Sequence, residues 1–450
     1  MVLLQRCLVA TLLQRQARSE EPAGGPVPVR LRTVERSLVP VERARRAVLA
    51  ACEPLAPVVT PLAEVCGLVL AEEVVASADI PPFPNSSMDG YALRAADVAT
   101  APVRLQVVGE LMAGDDPAGV VVLPGQAVRI MTGAVMPAGA DSVCMVEQTR
   151  QDGEGSVVVE RPLGPGTNVR LPGDDISAGS VVFSPGTVLR PAHVGVLSSL
   201  GALTVKAFPQ PRVGVLSTGD ELVQGAGTLP PGKIRDSNRP ALLAQLRSDG
   251  FCAVDLGWVG DDAGAVAALL ASATDRCDAV VTSGGVSMGV RDVVRAVISS
   301  MAGARSEWMQ VAVKPAKPFG FCLLPPRGTP LFGLPGNPVS ALVSYELFAR
   351  PALRRMAGRS DLLRPVVRAR ATADMPRRPD GKLHLVRAVL AVGAHGALEV
   401  SPSVGQGSHQ LHSLSLSNSL VALPDGPGAH AGDPVDVWVT GELTGAALQG

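Results

Sequence analysis

The sequence predicts an α/β multidomain protein that contains a doubly wound, mostly parallel sheet domain. Between residues 208 and 358, near-continuous apolar strands alternate with helical patterns, which is typical of a parallel sheet covered on both faces. Residues 78–173 and 359–450 carry brief Val-rich runs between Gly-rich turns, which indicates two β-rich domains. Residues 38–77 and 174–207 flank the first of these regions. We therefore interpret them as one mixed N-terminal domain in which residues 78–173 are inserted.

Composition excludes several classes of partner. The chain has 450 residues and a net charge of −1, without basic stripes interleaved with aromatics. These properties argue against nucleic-acid binding and against attraction to anionic membranes. Apolar runs are too short to span a bilayer. We therefore expect neither a nucleic acid nor a membrane as a partner.

Cysteine and histidine usage narrows the chemistry further. The seven cysteines form no CxxC pair and are irregularly spaced, so we expect reduced thiols, a reducing compartment and a cytoplasmic location. No histidine lies between residues 194 and 383. Chemistry in the sheet domain must then come from carboxylates, lysines, hydroxyls and backbone amides.

The first 37 residues form a separate extension, which we expect to be disordered. Residues 1–18 carry three arginines, no acid and an apolar periodicity, which superficially resembles a transit peptide. The alternatives are a disordered tail or a start assigned too far upstream.

Helix signals are clear at several places. Residues 41–54 read as an amphipathic helix ended by proline, and a short helix is expected near 191–200. In the segment 238–250, Asn238 can cap a helix and Pro240 lies in its first turn. Another helix is expected to open near Pro338.

Four loops rich in Gly, Ser, Thr and Pro end the predicted strands of the sheet domain. They are residues 217–222, 282–289, 314–320 and 333–338. In an open parallel sheet, ligands bind beyond the carboxyl ends of the strands. Glycine lets backbone N–H groups approach an anion closely, and helix N-termini add partial positive charge. We therefore predict one anionic-ligand pocket at this edge, with Ser283, Gly284, Gly285 and Ser287 in the second loop.

Lysines and acids accompany these loops. Lys314 and Lys317, two of only five lysines, are stiffened by Pro315 and Pro318, as a preorganised phosphate clamp would require. A decorated turn is the alternative. Acids beside phosphates need a cation between them, and Mg²⁺ is the natural one. The acids that follow the strands are Asp220, Glu221, Asp261, Asp262 and Asp292, of which Asp262 also looks like a helix cap.

The insert carries its own unusual strings. "NSSMDGY" includes Asp89, "IMTGAVMP" includes Thr132, and "NVRLPGDDI" includes Asp174 and Asp175. Hairpin chemistry explains the glycines and acids in general, but not strings this specific.

Taken with "STGDEL", "DSNR", "TSGGVSMG", "KPAKP" and "GLPGNPVSA", these strings resemble, in order, the molybdopterin molybdenumtransferases. These are the MoeA proteins of bacteria, which are similar to the C-terminal domain of animal gephyrin. The resemblance runs from about residue 38 to the end of the chain. It implies a role in molybdenum cofactor biosynthesis. Such enzymes insert molybdenum from molybdate into adenylylated molybdopterin and release AMP and molybdenum cofactor, with Mg²⁺ or a similar cation.

The resemblance also implies an elongated homodimer, in which the sheet domain of one subunit and the insert of the other share an active site. The upstream adenylyltransferase is a further expected partner. The candidate catalytic residues carried over by position are Asp89, Thr132, Asp174 (or Asp175), Glu221, Asp262 and Asp292. Glu221, Asp262 and Asp292 are also the expected metal ligands. The candidate ligand-binding residues are Ser283, Gly284, Gly285, Ser287, Lys314, Lys317, Pro335 and Pro338.

Three departures from the family pattern stand out. Ala316 replaces a glycine and should stiffen the lysine loop. "GVRD" lacks an acid that often precedes Asp292, and "SNS" at 417–419 replaces "ANG", which leaves the role of the last domain open. Two other functions remain as alternatives: the adenylyltransferase of the same pathway, which lacks the insert, and a non-enzymatic scaffold of the gephyrin kind.

Overall fold

The structure is a computed structural model that describes residues 38–285, 292–393 and 396–443. The expected extension, residues 1–37, lies outside the described residues, as do Ser287 and most of the "GVRD" string. Within these ranges, no helix has both the length and the apolar composition that crossing a bilayer requires.

The first helix, Val41–Ala50, packs on the sheet domain. Its buried side chains Val41, Ala44 and Val48 recur at helical spacing and join the larger core of that domain. We interpreted this segment as part of the N-terminal domain, but its apolar face is buried against the sheet domain instead.

Two chain segments on either side of the insert form the N-terminal domain. Their strands pair with each other in small antiparallel sheets. The strands are Val58–Pro61, Thr204–Phe208 and Val69–Leu70 in one sheet, and Val74–Val75 with Val181–Phe183 in the other. The helix Pro191–Ser199 covers a core that includes Leu70 and Leu197. A bridge between Ile80 and Ile176 closes the base of the insert.

The insert is an open six-stranded sheet with an apolar cluster on each face. From edge to edge, its strands are Ser142–Met145, Gly90–Leu93, Gln126–Ile130, Val103–Leu111, Ser156–Val159 and Thr149–Gln151. Tyr91 and Leu93 join one cluster and Ala92 joins the other, as the alternation of side chains along a strand requires. A separate ribbon pairs Asn85–Ser86 with Val169–Arg170. Short 3₁₀ helices lie at Leu62–Glu64 in the N-terminal domain and at Ala95–Val98 and Val146–Gln148 in the insert.

The sheet domain contains a mixed six-stranded sheet. In spatial order its strands are Cys252–Val259, Arg212–Thr218, Ala279–Ser283, Thr329–Leu334, Pro318–Leu324 and Arg305–Gln310. The first four are parallel. Pro318–Leu324 runs antiparallel to both of its neighbours, so Arg305–Gln310 has the same direction as the first four. The helices are Asn238–Ser248, Ala263–Arg276, Val293–Ser300, Pro338–Ser344 and Arg350–Met356, with a π-helical turn at Tyr345–Ala349. A parallel ribbon pairs Leu222–Val223 with Ile234–Arg235.

Burial on both faces explains the continuous apolar strands of this domain. Along the central strand, Ala279 and Val281 join one core and Val280 joins the other. Each fully buried Val side chain stabilises the fold by about 1.5–3 kcal/mol. A polar residue at any of these positions would therefore lose the stabilisation from apolar burial, because both faces of the strand are covered.

The C-terminal domain is a closed barrel. Its strands follow the order Leu383–Val392, Leu398–Pro402, Val366–Ala371, Pro434–Val439 and Ser419–Leu423, and the last pairs back with the first. A short helix lies at Leu411–Ser415, and a ribbon pairs Met375–Pro376 with Gly428–Ala429. The two-residue strand Val313–Lys314, from the sheet domain, pairs with the start of the barrel strand Leu383–Val392.

Candidate functional site

Three of the four predicted loops begin side by side at one edge of the sheet. Ser217 is in register with Ser283, and Ser283 is in register with Leu334. Neighbouring strands are about 4.8 Å apart, so the loops that follow these residues are immediate neighbours. The edge is the carboxyl end of the parallel strands, where an open α/β sheet binds ligands.

The lysine loop reaches the same edge by a different route. Lys314 and Lys317 precede the strand Pro318–Leu324, which is antiparallel to its neighbour Thr329–Leu334. The start of one strand therefore lies beside the end of the other. The prediction that this loop follows a parallel strand is wrong, because the chain turns back at this point. The register nevertheless places both lysines at the edge that carries Ser283.

The glycine turn after Ser283 cannot accept side chains. Gly284 has φ +89° and Gly285 has φ +70°, in the left-handed region that favours glycine. A Cβ on Gly284 would lie 2.8 Å from the Thr218 carbonyl oxygen, and one on Gly285 would lie 2.5 Å from a Val294 methyl. The turn is therefore packed between a neighbouring strand end and the following helix.

Asn238 connects two of these loops, a role that the sequence did not reveal. Its Nδ2 donates to Ser283 Oγ at 2.6 Å and to the Gly336 carbonyl at 2.7 Å. The predicted cap is wrong, because the helix begins at Asn238 and Ser237 is the N-cap. Asn238 Oδ1 is buried and has no hydrogen-bond partner among the described residues. The only sequence signal was the string "DSNR".

Pro335 and Pro338 shape the loop after Thr329–Leu334. Pro335 is buried, and Pro338 is the first residue of the helix Pro338–Ser344, where its missing N–H costs no hydrogen bond. The Val339 N–H donates to the Ser408 carbonyl of the C-terminal barrel. The barrel is therefore in direct contact with this end of the sheet edge.

Two of the three predicted metal ligands cap helices. Asp262 accepts the Ala265 N–H at 2.7 Å and caps the helix Ala263–Arg276. Asp292 likewise accepts the Arg295 N–H at 3.1 Å and caps the helix Val293–Ser300. These bonds fix the two carboxylates at the N-termini of different helices.

A three-carboxylate centre is not assembled. Across residues 38–285, 292–393 and 396–443, no three His, Cys, Asp or Glu side chains are grouped closely enough to hold a metal ion. The set of Glu221, Asp262 and Asp292 as metal ligands stays a prediction. Glu221 is exposed, and it fits the usual Mg²⁺ arrangement of one or two carboxylates with substrate phosphates.

The loops that carry Glu221 and Asp262 are tied together. Asp220 Oδ1 accepts the Asp261 N–H at 2.9 Å, which joins the ends of the two neighbouring strands. Sequence reasoning treated Asp220 as a potential ligand, but its carboxylate is used to hold this turn.

Ala316 adopts the backbone conformation of the glycine it replaces. Its φ is +81°, which costs an L-residue about 1–2 kcal/mol. The Ala316 methyl is buried in the sheet-domain core, and its burial offsets part of that cost. The expectation that Ala316 stiffens the loop remains a prediction.

Arg387 is a fully buried arginine of the barrel. Arg387 donates to the Gly405 carbonyl at 2.6 Å and to Ser413 Oγ at 3.3 Å. Its Nη1 has no hydrogen-bond partner among the described residues, and burial lowers the pKa of the guanidinium. Arg387 follows His384, the register partner of Lys314, by three residues on one strand. No pattern in the sequence indicated a role for Arg387.

The "SNS" string at 417–419 is structural. Asn418 exchanges two hydrogen bonds with the Leu390 backbone, at 2.7 and 2.8 Å, and donates to the Glu442 carbonyl at 2.9 Å. Ser417 and Ser419 also bond within the barrel. These side chains hold barrel strands together.

The insert brings two of its three predicted residues together. Asp89 Oδ1 accepts both the backbone N–H and the hydroxyl of Thr132, each at 2.7 Å. These two bonds, with a smaller contribution from Arg129, hold the pKa of Asp89 below its ordinary value. An exposed, firmly oriented carboxylate results.

Asp174 lies in the neighbouring loop. Its Oδ2 accepts the Leu171 N–H at 2.9 Å, which closes a tight turn. The ribbon of Asn85–Ser86 with Val169–Arg170 connects this loop to the "NSSMDGY" string. The register places Asp174 beyond the end of the ribbon that leads back to Pro81, away from Asp89, and Asp175 donates its N–H to the Ile80 carbonyl.

The site therefore consists of two parts in different domains. The sheet edge offers amides, hydroxyls and two ammonium groups, which suits a ligand with several anionic groups. From Asp262 to the lysine loop, this edge crosses five strands and extends over roughly 20 Å. The insert offers an oriented carboxylate. None of the hydrogen bonds described for these residues joins the sheet edge to the insert.

Three family models match consecutive parts of the chain. They describe the MoeA N-terminal region (domains I and II) at residues 39–201, a probable molybdopterin binding domain at 214–355, and the MoeA C-terminal region (domain IV) at 368–440. The first spans the insert, so the match is not confined to the sheet domain.

Full-length relatives agree with these matches. Molybdopterin molybdenumtransferase 2 of Mycobacterium tuberculosis is 38% identical over 409 residues, covering 88% of this chain and 98% of that protein. The molybdopterin molybdenumtransferase of Haemophilus influenzae is 35% identical over 386 residues, covering 85% of this chain and 94% of that protein. The crystal structure of a molybdopterin biosynthesis MoeA protein from Pyrococcus horikoshii superposes with a TM-score of 0.74 at 30% identity, covering 90% of this chain and all of that one. The chain therefore belongs to the MoeA family of molybdopterin molybdenumtransferases.

Proposed function

We propose that this chain is a transferase of molybdenum cofactor biosynthesis. It takes adenylylated molybdopterin and molybdate as substrates, inserts molybdenum at the dithiolene, and releases AMP and molybdenum cofactor. The observation that carries the proposal is the row of strand ends at one sheet edge, from Asp262 to Lys317. A single phosphate could not contact both ends of a row about 20 Å long, whereas a ligand with a pterin and a nucleotide end could.

Each part of the row has a separate role in this proposal. Lys314 and Lys317 attract the phosphates, and the Ser283 hydroxyl and the Gly285 N–H hydrogen-bond to them, because the Gly284 N–H already donates to the Leu334 carbonyl at 3.1 Å. Asn238 keeps the turn after Ser283 against Gly336, so these donors are oriented before the ligand arrives. Pro335 and Pro338 fix the adjoining loop.

Mg²⁺ is part of the proposal and would be held by Glu221 together with substrate phosphates. The ion would neutralise charge that develops at the scissile pyrophosphate. Asp262 and Asp292 act mainly as caps that position the loops, since one oxygen of each is committed to a helix N-terminus.

The insert completes the site from a second subunit. Asp89 is exposed and oriented by Thr132, yet it belongs to a different domain from the sheet edge. We propose an elongated homodimer in which Asp89, Thr132 and Asp174 face the sheet edge of the partner. There they would position molybdate and the dithiolene. Because molybdate is an anion, cations at the sheet edge such as Lys317 would have to balance these acids.

We also propose that the enzyme works in the cytoplasm. The cysteines described by the structure are all free, as in a reducing cytoplasm. The enzyme would receive its substrate from the upstream adenylyltransferase. Adenylyltransferase activity of this chain itself is not favoured, because the relatives that match along its length, insert included, carry the molybdenumtransferase name. The same matches argue against a purely scaffolding role.

One assay tests the proposal directly. Purified protein is incubated with adenylylated molybdopterin, molybdate and Mg²⁺, and AMP release is followed. We expect AMP only when molybdate is present. ATP consumption with metal-free molybdopterin would instead identify an adenylyltransferase. Partner capture without AMP release would identify a scaffold.

A further inference from the structure

The lysine loop is physically joined to the C-terminal barrel. Val313–Lys314 pairs in parallel with the barrel strand Leu383–Val392, and Lys314 is the register partner of His384. Register partners on adjacent strands project to the same side and lie about 5 Å apart at their Cα atoms. The side chains of Lys314 and His384 therefore start from adjacent positions on one face, although the two residues are in different domains, and the charge of Lys314 acts on the imidazole.

Charged groups surround His384 from several elements. Its Nε2 lies 3.1 and 3.2 Å from the two oxygens of Asp380, in the turn before its own strand. Asp380 also binds Lys382 at 2.7 Å and Arg377 at 3.0 Å, and Arg377 binds Asp425 at 2.7 Å. Together with Lys314, three cations and two carboxylates face this region.

The hydrogen bond fixes which nitrogen of His384 is free. Asp380 stays ionised because Lys382 and His384 hold its pKa far below the ordinary value. An ionised carboxylate only accepts, so a neutral His384 carries its proton on Nε2. Its Nδ1 is left to take a second proton. Burial lowers the pKa of His384 below 6.5, and Arg377 and Lys314 lower it further against the opposing effect of Asp380.

We propose that His384 takes up a proton from solvent at Nδ1 when an anion binds to Lys314, so that the barrel makes the lysine loop a proton-coupled anion site. The proposal rests on the proposed function in one respect, that Lys314 binds an anion. An anion at Lys314 cancels part of the repulsion between the ammonium and the imidazolium, which favours protonation. By linkage, protonation must then tighten anion binding by the same factor. His384 is thus a positioning residue that acts through Lys314.

Selectively ¹³C-labelled histidine provides the readout, with the His384 signal assigned by His384→Asn. The full chain is titrated with pH by NMR, with and without sulfate, a probe whose charge is constant over this range. We expect sulfate to raise the His384 midpoint by about 0.7–1 pH unit, which corresponds to a coupling of roughly fivefold to tenfold. The same factor should appear as tighter sulfate binding at a pH well below the measured His384 midpoint than at a pH well above it. His384→Asn should lose that pH dependence.

Two variants and one internal reference complete the design. Lys314→Met should raise the His384 midpoint without any sulfate and abolish the sulfate effect. Lys317→Met, which removes a charge outside the register pair, should raise the midpoint less. His430 of the same barrel is exposed and faces Asp374, so its signal should not respond.

The outcomes separate the two proposals. Sulfate binding without a shift of the His384 midpoint overturns the coupling while leaving the anion site intact. A midpoint that rises in Lys314→Met, with no sulfate binding to wild type, overturns the anion site and the coupling to it. If the His384 midpoint is unchanged in Lys314→Met, the side chains of Lys314 and His384 do not interact. This result overturns the inference independently of any ligand.

Discussion

Thr132 donates both its backbone N–H and its hydroxyl to a single oxygen of Asp89, 43 residues away in the chain, at 2.7 Å each. The second carboxylate oxygen of Asp89 is not used in this pair. An exposed carboxylate in water normally samples several rotamers. Here two donors on one residue select a single orientation, which is how a reactive or ligand-binding group is preorganised.

Asp89→Asn should abolish AMP release while leaving stability almost unchanged. Asp89 is exposed, and asparagine keeps an oxygen that can accept from Thr132, so we expect the free energy of unfolding to change little. Loss of an oriented charge at the reacting centre should lower the rate by about 100-fold or more. AMP release and urea unfolding measure the two effects. Asp97→Asn is the matched control, because Asp97 is a carboxylate of the same insert that accepts the Gly125 N–H. Full activity in Asp89→Asn, or equal loss in Asp97→Asn, would contradict the assignment.

Thr132→Val should raise the pKa of Asp89. The hydroxyl hydrogen bond stabilises the ionised form and the backbone bond remains, so the pKa should move part of the way back to its ordinary value. Because the wild-type pKa is depressed, Asp89 stays ionised down to lower pH, and the favourable interaction is lost only as pH falls through that depressed value. A carboxyl ¹³C titration of Asp89 checks the direction. An unchanged midpoint in Thr132→Val would show that the hydroxyl does not matter.

Asn238→Ala should loosen the sheet edge. The substitution removes two hydrogen bonds, to Ser283 and Gly336, and should cost about 1–3 kcal/mol of stability. Because the turn after Ser283 would no longer be held, we also expect sulfate affinity to fall about tenfold, as measured by calorimetry. Ser283→Ala, which removes one of the two bonds, should show a smaller loss. Equal affinities in wild type and Asn238→Ala would refute the positioning role.

Gly284→Ala should damage the site more than an ordinary glycine substitution. Both Gly284 and Gly303 have positive φ, at +89° and +85°, so alanine is strained by about 1–2 kcal/mol at either position. Only at Gly284 does the new Cβ meet a backbone atom, the Thr218 carbonyl at 2.8 Å. We expect Gly284→Ala to lose sulfate binding and Gly303→Ala to retain it. Similar binding in the two variants would mean that the turn adapts without cost.

Asp249→Asn should destabilise the junction between two helices of the sheet domain, Asn238–Ser248 and Arg350–Met356. Asp249 is buried, and it accepts from Arg350 at 3.0 Å, Arg364 at 2.8 Å and the Tyr345 hydroxyl at 2.9 Å. Removing one partner of a buried ion-pair network typically costs about 3–5 kcal/mol. Urea unfolding at pH 7 measures the loss. Asp361→Asn, at a carboxylate that is 61% exposed, should cost no more than about 1 kcal/mol.

Acid should also destabilise the wild type, because it protonates the carboxylate of Asp249. Burial alone would raise the pKa of Asp249, but Arg364, Gln245 and Arg350 outweigh it and hold the pKa below 3.8. A depressed carboxyl contributes stability above its unfolded pKa and loses it as pH falls through the folded value. Wild type should therefore lose this contribution below pH 3.8, and Asp249→Asn should be less sensitive to acid in that range. Parallel acid-unfolding curves would contradict this.

Much of the fold could be read from local patterns. The central strand Ala279–Ser283 is buried on both faces, so its sequence is apolar throughout and points to a covered parallel sheet. Pro338 at the first position of a helix, and Asp262 as a cap, follow from local backbone chemistry that neighbouring residues determine. Asn238 misled the prediction because a capping residue and a tertiary hydrogen-bond donor have the same side chain.

By itself the sequence determined the order of elements, the apolar strands, the caps and the strings that carry the family resemblance, because each depends on residues within a few positions of one another. Tertiary structure alone decided that Lys314 precedes an antiparallel strand and stands beside His384, that Asn238 joins two loops, and that Asp89 meets Thr132. These relationships depend on strand register and domain packing, and register is set by the burial of whole sheets rather than by any one residue.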